Sequence, residues 1–231
     1  MSHSNVKSGI LRYGWWTRLN HWIVAISFTL LTLSGLALFY PGFYSFTGLF
    51  GGPEETRILH PYIGVFMTLL FVIQAVRFFR DNLIRRHDVQ WLKQIRDVLS
   101  NRDDRLPPVG KNNAGQKLVY WIFLATVPVL LVSGVIIWRP WFAEDVPLWL
   151  HRNAAMVHAY AAFIAIVTLI IHIYSAIWVK GSIRAMTQGR VSPAWARHHH
   201  KLWYEDIMRG RARGDDHAST PSARESTRNP R

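Results

Sequence analysis

The sequence predicts an all-α membrane protein with four spanning helices, and three observations support this fold class. The chain contains four long apolar segments that lack Asp, Glu, Lys and Arg. Charged residues make up only 18% of the chain and are concentrated in blocks between these segments, whereas hydrophobic residues reach 50%. The number of Lys and Arg residues alternates between high and low from one block to the next. A bilayer admits only helices or closed barrels, and these segments do not alternate as barrel strands do.

Each apolar segment is long enough to cross the hydrocarbon core, which takes about 20 helical residues. We predict helices over about 22–40, 58–76, 118–138 and 153–179. Together with their flanks they form one transmembrane domain over 1–204. The polar, Pro- and Ser-containing stretch 205–231 is predicted to be a disordered cytoplasmic tail.

The positions of the 27 Lys and Arg residues predict the orientation of the helices. The amino-terminal arm, the second loop and the tail hold 24 of them, and the first and third loops hold the other three. By the positive-inside rule, both termini are then cytoplasmic, and the chain crosses the membrane four times. The net charge of +13 therefore predicts contact with anionic lipid, and not with nucleic acid.

Two features of the second loop, and the absence of cysteine from the whole chain, limit the kinds of site that the protein can form. Apolar residues recur near helical spacing from Val89 to Leu99, which predicts a helix that lies on the membrane surface or packs on the protein's own loops. Asn113, Gly115 and Gln116 stand at the entry to the third helix. The chain has no cysteine, which excludes disulfides, haem attached through Cys, and iron–sulfur ligation.

Four of the 11 histidines lie within or at the mouths of the apolar segments: His21, His60, His158 and His172. Histidine inside a membrane helix is costly and indicates a function. His158 and His172 are fourteen residues apart, so they share one helix face about 21 Å apart along the axis. The alternating helix directions place His21 level with His172 on the cytoplasmic side, and His60 level with His158 on the external side.

Two imidazoles at one depth can supply both axial ligands of a haem. A single histidine at a helix end would be interpreted as an interfacial residue, but four that form two level-matched pairs predict two stacked haem b groups. A site for a bare metal ion is disfavoured because no membrane segment contains a carboxylate. The tract His198–His200 could bind a metal ion, but it is interpreted in preference as solvated or facing lipid headgroups.

Two stacked haems, with no hydrolytic or phosphate-binding motif, indicate electron transfer across the membrane to a quinone. Asn113 and Gln116 could donate amide hydrogen bonds to the quinone, and Gly115 would permit its close approach. The same residues are also typical of a helix cap and turn, so a quinone site and a capping sequence both remain possible interpretations. A haem-free anchor or small transporter is a further alternative, disfavoured by the absence of a membrane-embedded carboxylate.

Six motifs carry a resemblance to a known family. They are R-L-N-H-W at 18–22, R-I-L-H-P at 57–61, G-Q-K at 115–117, S-G-V-I-I-W-R-P at 133–140, H-I-Y-S-A-I-W-V-K-G at 172–181 and A-W-A-R-H-H at 194–199. Through them the chain resembles the cytochrome b (gamma) subunit of membrane-bound respiratory formate dehydrogenases of the nitrate-inducible type. It is more distantly similar to the di-haem cytochrome b anchors of other respiratory dehydrogenases, such as nickel–iron hydrogenase, which is the alternative function.

The resemblance implies a role in anaerobic respiration, within a larger complex of the bacterial inner membrane. A molybdenum or tungsten catalytic (alpha) subunit would oxidise formate outside the membrane, and an iron–sulfur (beta) subunit would pass the electrons to the external haem. Menaquinone or ubiquinone would be reduced near the cytoplasmic face, which contributes to the proton-motive force. The complex is expected to be a trimer of heterotrimers.

The resemblance also assigns residues. The external haem would be held by His60 and His158, and the cytoplasmic haem by His21 and His172. The quinone site would match Asn113, Gly115, Gln116 and His172.

Overall fold

The computed structural model describes residues 9–100, 102, 105–138 and 146–210. The helices of this described part are, in chain order, α1 (Trp15–Phe39), α2 (Pro53–Phe78), α3 (Arg86–Lys93), α4 (Ile95–Leu99), α5 (Ala114–Ile137), α6 (Leu148–Trp178), α7 (Ser182–Thr187), α8 (Pro193–His199) and α9 (Lys201–Met208). Short 3-10 helices cover Pro41–Phe50 and Arg80–Asn82. Two strands, β1 (Ile10–Leu11) and β2 (Arg190–Val191), pair antiparallel.

The predicted all-α membrane fold is confirmed, because α1, α2, α5 and α6 are long and apolar enough to cross a membrane. Each of these helices begins four to seven residues before its predicted start and ends within two residues of its predicted end. The prediction counted only uncharged residues. The backbone, however, continues to form helical hydrogen bonds through the polar residues that flank each apolar segment.

The spanning helices form two antiparallel hairpins, α1 with α2 and α5 with α6, and α2 also packs against α5. Between them lies an apolar core that includes Met67, Val127 and Ala165. Phe28 of α1 meets Phe123 of α5 edge to face, with ring centroids 5.5 Å apart. Buried apolar contacts of this kind hold the hairpins in one bundle.

The two ends of the bundle are built differently, and we name them for what they carry. The terminal end carries both described ends of the chain, which the β1–β2 pair holds together. The loop end carries the 3-10 segment Pro41–Phe50, which connects α1 to α2. The predicted boundary at residue 204 falls within α9, so the helical part of the chain continues to Met208. Residues 211–231 of the predicted tail lie outside the described residues.

A buried arginine ties the terminal end together. The guanidinium of Arg12 lies 5.4 Å from the ring centroid of Tyr13, 5.3 Å from that of Trp195 and 4.9 Å from that of Trp203. Its Nη2 donates a hydrogen bond to the carbonyl of Lys111. Cation–π contacts in a buried setting are each worth about 2 kcal/mol. The residue therefore joins the amino-terminal strand, the second loop and α8–α9 into one cap.

The structure corrects the interpretation of the histidine tract. His198 is exposed, but His200 is only 2% exposed and its Nδ1 lies 2.8 Å from the carbonyl oxygen of Gly110. That histidine is therefore part of the cap, and it faces neither solvent nor headgroups. The residue escaped notice because its neighbours in sequence are polar, whereas its burial comes from the packing of distant segments.

The helix predicted between Val89 and Leu99 forms as α3 and α4, and α3 packs on the first turn of α5. Trp91 of α3 is buried there, whereas Val89 and Leu92 are exposed. One face of α3 thus packs on the protein itself, and apolar side chains on another face are open to the surroundings.

Candidate functional site

The structure brings the four predicted histidines together as two pairs. The ring centroids of His60 and His158 are 6.4 Å apart, with 67° between the ring planes. The ring centroids of His21 and His172 are 6.2 Å apart, with 68° between the planes. We call these the loop-end pair and the terminal-end pair. All four side chains are partly buried.

Helix α6 supplies one histidine to each pair. His158 and His172 lie on it about 21 Å apart by helical rise, so the two pairs occupy two levels of the bundle. The partner of His158 comes from α2 and the partner of His172 comes from α1. The level matching predicted from helix direction is therefore present in the packed bundle.

The gap within each pair has the size that one metal ion requires. A metal–imidazole bond of about 2.0–2.1 Å, with each ring centroid about 1.1 Å behind its nitrogen, puts two opposed centroids about 6.3 Å apart. The observed separations are 6.4 and 6.2 Å. An edge-to-face contact between two rings has a similar centroid distance, about 4.5–7 Å. The hydrogen bonds of the rings at the loop end indicate which nitrogen each imidazole leaves for a metal.

Both histidines of the loop-end pair contact a serine of the helix that precedes them in the chain. Ser34 Oγ of α1 lies 2.7 Å from His60 Nδ1, and Ser133 Oγ of α5 lies 3.0 Å from His158 Nδ1. Because Nδ1 is engaged by a serine on each side, Nε2 is the nitrogen left for a ligand.

The hydrogen atom of each serine is already used. The hydroxyl of Ser34 donates to the carbonyl of Leu30 at 2.8 Å, and that of Ser133 donates to the carbonyl of Val129 at 2.6 Å. A hydroxyl carries one hydrogen, so each oxygen accepts from the Nδ1–H of its histidine. This leaves an unprotonated Nε2, the form in which imidazole binds a metal.

A glycine follows each of these serines and makes room for the facing imidazole. A Cβ atom built on Gly35 would lie 3.3 Å from His60 Cε1, and one on Gly134 would lie 3.3 Å from His158 Cε1. Such contacts are tighter than a side chain normally makes, so the ring would have to shift. The Ser-Gly pairs therefore set how closely α1 and α5 approach the loop-end histidines.

The terminal-end pair has a different environment. In the part of the chain that the structure describes, neither His21 nor His172 has a hydrogen bond to its ring, although His21 contacts Trp22 with centroids 5.9 Å apart. Near this pair, the side chain of Trp22 instead joins α1 to α7, because its Nε1 donates to the carbonyl of Met186 at 3.1 Å.

In the part of the chain that the structure describes, each histidine pair offers two ligands and no more. Among the described residues, no group of three His, Cys, Asp or Glu side chains could hold a metal ion. A two-ligand site suits a metal that arrives with its other ligands already in place. A haem is such a group, since the porphyrin leaves only the two axial positions for the protein.

The residues predicted to bind quinone form the amino-terminal cap of α5. Gln116 N donates to Asn113 Oδ1 at 2.9 Å, and Asn113 N donates to Gln116 Oε1 at 3.0 Å, which is a capping box. This geometry uses the amide oxygens and leaves both amide NH₂ groups for another acceptor. In the described residues, no hydrogen bond connects His172 to Asn113 or Gln116. The capping interpretation is thus present, and quinone binding remains a proposal.

Gly115 lies under the indole of Trp91. A Cβ on this glycine would lie 3.3 Å from Trp91 Cη2. Beside it, Lys117 Nζ and Asp88 Oδ2 form an ion pair at 2.7 Å, with the two residues 4% and 1% exposed. Gly115 and Lys117, in the first turn of α5, therefore pack against α3.

Sequence reasoning missed the role of the two serines, although a signal was present. Ser-Gly occurs near the end of α1 and again near the end of α5, and the serine precedes its histidine by 26 residues in one hairpin and by 25 in the other. That repeat relates the two hairpins and would have identified both serines. The buried pair Asp88–Lys117 gives no comparable signal, because both charges belong to a long charged loop.

Comparisons with known proteins agree with this architecture. Residues 12–189 match the family described as prokaryotic cytochrome b561. The chain is 44% identical over 200 residues to the formate dehydrogenase cytochrome b556(fdo) subunit of Escherichia coli (strain K12), covering 87% of this chain and 94% of that protein. It is 42% identical over 204 residues to the nitrate-inducible formate dehydrogenase cytochrome b556(Fdn) subunit of the same strain, covering 88% and 94%.

A third relative, the formate dehydrogenase cytochrome b556 subunit of Haemophilus influenzae, is 34% identical over 197 residues, covering 85% of this chain and 83% of that protein. The family match and these relatives extend over nearly the whole described bundle. The chain therefore belongs to the prokaryotic cytochrome b561 family, among the cytochrome b subunits of formate dehydrogenase.

Proposed function

We propose that this chain anchors a formate dehydrogenase in the membrane and carries its electrons through two b haems to a quinone. The observation that carries the proposal is the pair of imidazole gaps, 6.4 and 6.2 Å between centroids, each sized for one metal ion. His60 and His158 would hold one haem, and His21 and His172 the other. Haem, when bound, supplies a one-electron carrier at each level.

The orientation is part of the proposal and rests on charge. The terminal end lies among blocks that hold 24 of the 27 Lys and Arg residues, so it faces the cytoplasm and anionic lipid. The loop end then faces outward in a bacterial inner membrane. There it would receive electrons from an iron–sulfur (beta) subunit that is bound to a molybdenum or tungsten catalytic (alpha) subunit.

The quinone, menaquinone or ubiquinone, would bind at the amino terminus of α5. The amide NH₂ groups of Asn113 and Gln116 can donate to a quinone oxygen, and the cap already fixes their orientation. Gly115 and His172 complete the proposed site. Protons taken from the cytoplasm during quinone reduction would contribute to the proton-motive force. We further propose that the complex assembles as a trimer of heterotrimers.

The proposal is tested on the complex purified in detergent. Formate should reduce the b-haem absorbance, added quinone should reoxidise it, and mass spectrometry should identify a molybdopterin-type catalytic subunit. Reduction by hydrogen together with a copurifying nickel–iron subunit would instead assign the chain to a hydrogenase. A colourless preparation would contradict electron transfer altogether.

The quinone site can be separated from the helix cap by isosteric variants. Gln116→Glu and Asn113→Asp keep the oxygen that the capping box uses and remove the NH₂ donor. We expect quinone reduction to slow by up to about tenfold, since one hydrogen bond is worth about 0.5–1.5 kcal/mol, with haem content unchanged. Gln116→Ala should slow it similarly and also lower stability. Unchanged turnover in the Glu and Asp variants would remove these residues from the site.

A further inference from the structure

The serine contacts at the loop end occur twice, on two separate hairpins. Each is a hydroxyl oxygen that accepts from the Nδ1–H of a histidine, at 2.7 Å for Ser34 and 3.0 Å for Ser133. The serines are 0% and 4% exposed, so water does not compete for these hydrogen bonds. The terminal-end histidines, in the described part of the chain, have no such acceptor. The difference between the two levels is therefore chemical as well as positional.

A hydrogen bond on Nδ1–H has two effects on a metal-binding imidazole. It fixes the tautomer and the ring orientation, and it raises the basicity of the nitrogen that faces the metal. A more basic ligand donates more charge and so favours the oxidised metal over the reduced one. Hydrogen bonding to axial ligands is accordingly one of the means by which a protein tunes a haem potential.

Both axial ligands at the loop end carry this hydrogen bond, so their effects add on one metal ion. Among the described residues, neither His21 nor His172 at the terminal end has such a hydrogen bond. If the two sites were otherwise equal, the loop-end site would have the lower midpoint potential. An electron would then pass from the loop-end level to the terminal-end level downhill, with no bond made or broken.

We propose that Ser34 and Ser133 are positioning residues that keep the midpoint potential of the loop-end haem below that of the terminal-end haem, and so set the direction of electron flow. The inference rests on the proposed function, in which each histidine pair holds one haem. It adds a role for two residues that touch neither the haem iron nor a substrate.

The test is a redox titration of the b-haem absorbance in the purified complex. Ser34→Ala and Ser133→Ala should each raise the potential of the same haem, namely the one that is missing from a His158→Ala preparation. The expected rise changes the ratio of reduced to oxidised haem at a fixed ambient potential by up to about tenfold, which is about 59 mV for a one-electron couple. The other haem should keep its potential.

The chain offers a matched control on the same helix. Thr126 of α5 is buried and its hydroxyl donates to the carbonyl of Ile122 at 2.9 Å, as Ser133 does to Val129. Thr126→Ala removes the same kind of helix back-bond but, in the described structure, no contact to a histidine. It should leave both potentials unchanged. Ser133→Thr keeps the hydroxyl and should keep the potential close to that of the unsubstituted protein.

An independent readout is the EPR signal of the oxidised haems, which depends on the angle between the two axial imidazole planes. That angle is 67° at the loop end. Because the angle at the terminal end is 68°, the two low-spin signals should nearly coincide in the unsubstituted protein. The alanine variants should separate one of them from the other, because the freed ring can rotate, and Thr126→Ala should not. If an alanine variant loses the loop-end haem while Ser133→Thr retains it, the positioning role is also supported.

Three results would overturn the inference. In the first, the alanine variants leave both midpoint potentials within the range measured for the unsubstituted protein and for Thr126→Ala. In the second, Ser133→Thr shifts the loop-end potential as much as Ser133→Ala does. In the third, the serine variants shift the potential of the terminal-end haem instead. Failure of the proposed function is distinguishable from these, because the unsubstituted protein would then lack two haems before any serine is changed.

Discussion

The loop-end and terminal-end histidine pairs have nearly the same geometry but are built in different ways. Their centroid separations are 6.4 and 6.2 Å and their interplanar angles 67° and 68°. At the loop end each imidazole is bound by a serine of the neighbouring helix. At the terminal end the rings have no such bonds to described residues, and next to this pair lies the cap, in which the strand Ile10–Leu11 pairs with Arg190–Val191.

The difference shows that the bundle sets the spacing of each pair, whereas local side chains set its chemistry. The loop-end pair is fixed by short-range hydrogen bonds within each hairpin. The geometry of the terminal-end pair depends instead on the contacts that hold α1 against α7, the helix that follows α6. Perturbations at one end should therefore leave the histidine pair at the other end, and the haem proposed to bind there, largely intact. The predictions below follow from that independence.

The largest expected effect is the loss of one haem. His158→Ala should remove the loop-end haem and His172→Ala the terminal-end haem, because each pair then offers a single axial ligand. The pyridine haemochrome assay should give half the haem of the unsubstituted protein in each case, with different residual spectra. If both variants lose the same haem, the assignment of histidines to two levels is wrong.

A second substitution should weaken only the terminal end. Asp88 and Lys117 form a buried ion pair at 2.7 Å, and removal of one partner from such a pair typically costs about 3–5 kcal/mol. Lys117→Met should therefore lower the melting temperature of the detergent-solubilised protein. The double variant Asp88→Asn/Lys117→Met should recover part of the loss, since no unpaired charge remains. A melting temperature equal to that of the unsubstituted protein would show that the pair does not hold α3 on α5.

The cap should loosen in acid. Burial lowers the pKa of His200 well below its usual 6.5, and the nearby charge of Arg12 lowers it further. The unfolded chain therefore binds a proton that the folded cap does not, and the free energy of unfolding falls as pH drops below about 6.5. Burial lowers the pKa of His87 as well, which adds to the same trend.

Proteolytic cleavage within 193–208, followed across this pH range, measures the effect. The cleavage rate should rise as the pH falls below about 6.5, where the unfolded histidine takes up its proton. His200→Gln, which can still donate to the carbonyl of Gly110, should flatten the profile. His198→Gln is the control, because His198 is exposed and should leave the profile unchanged. A pH-independent rate in the unsubstituted protein would contradict the role of His200.

The smallest effect should come from the glycines. Gly35→Ala places a Cβ 3.3 Å from His60 Cε1, so the imidazole must shift by a few tenths of an ångström. Gly64→Ala is the control, because its Cβ would lie 3.8 Å from Leu31 Cδ2, an ordinary contact. Both variants gain about 0.5–1 kcal/mol of helix propensity. Only Gly35→Ala should change the absorbance spectrum of the loop-end haem. An equal change in Gly35→Ala and Gly64→Ala would show that the close approach of α1 to His60 has no role.

The sequence predicted the features that depend on one helix at a time. Hydropathy identified the four spans, and helix direction with the spacing of His158 and His172 gave the two levels. The helix starts were predicted too late because the flanking stretches contain charged or strongly polar residues, such as Arg18 and Asn20 before the first segment, which interrupt the hydropathy signal. Features that depend on how two helices face each other were not predicted, because periodicity does not give the rotation of one helix against another.

Ser133 illustrates this limit. Within its own helix it is a small polar residue that bonds to the preceding turn, and only the packing of α5 on α6 brings it to His158. In the sequence, Asp88 and Lys117 likewise look like ordinary charged residues of a basic loop. They are buried together only because α3 packs on α5. The second Ser-Gly pair was the one available signal, since it repeats the spacing found in the first hairpin.

The most direct test of the central claim is the haem content of the unsubstituted chain in the purified complex, measured against protein mass. Two imidazole pairs at two levels predict two b haems for each copy of the chain, both low-spin with two histidine ligands. A value of one haem for each chain, or a high-spin signal from an iron with a single histidine, would contradict the account.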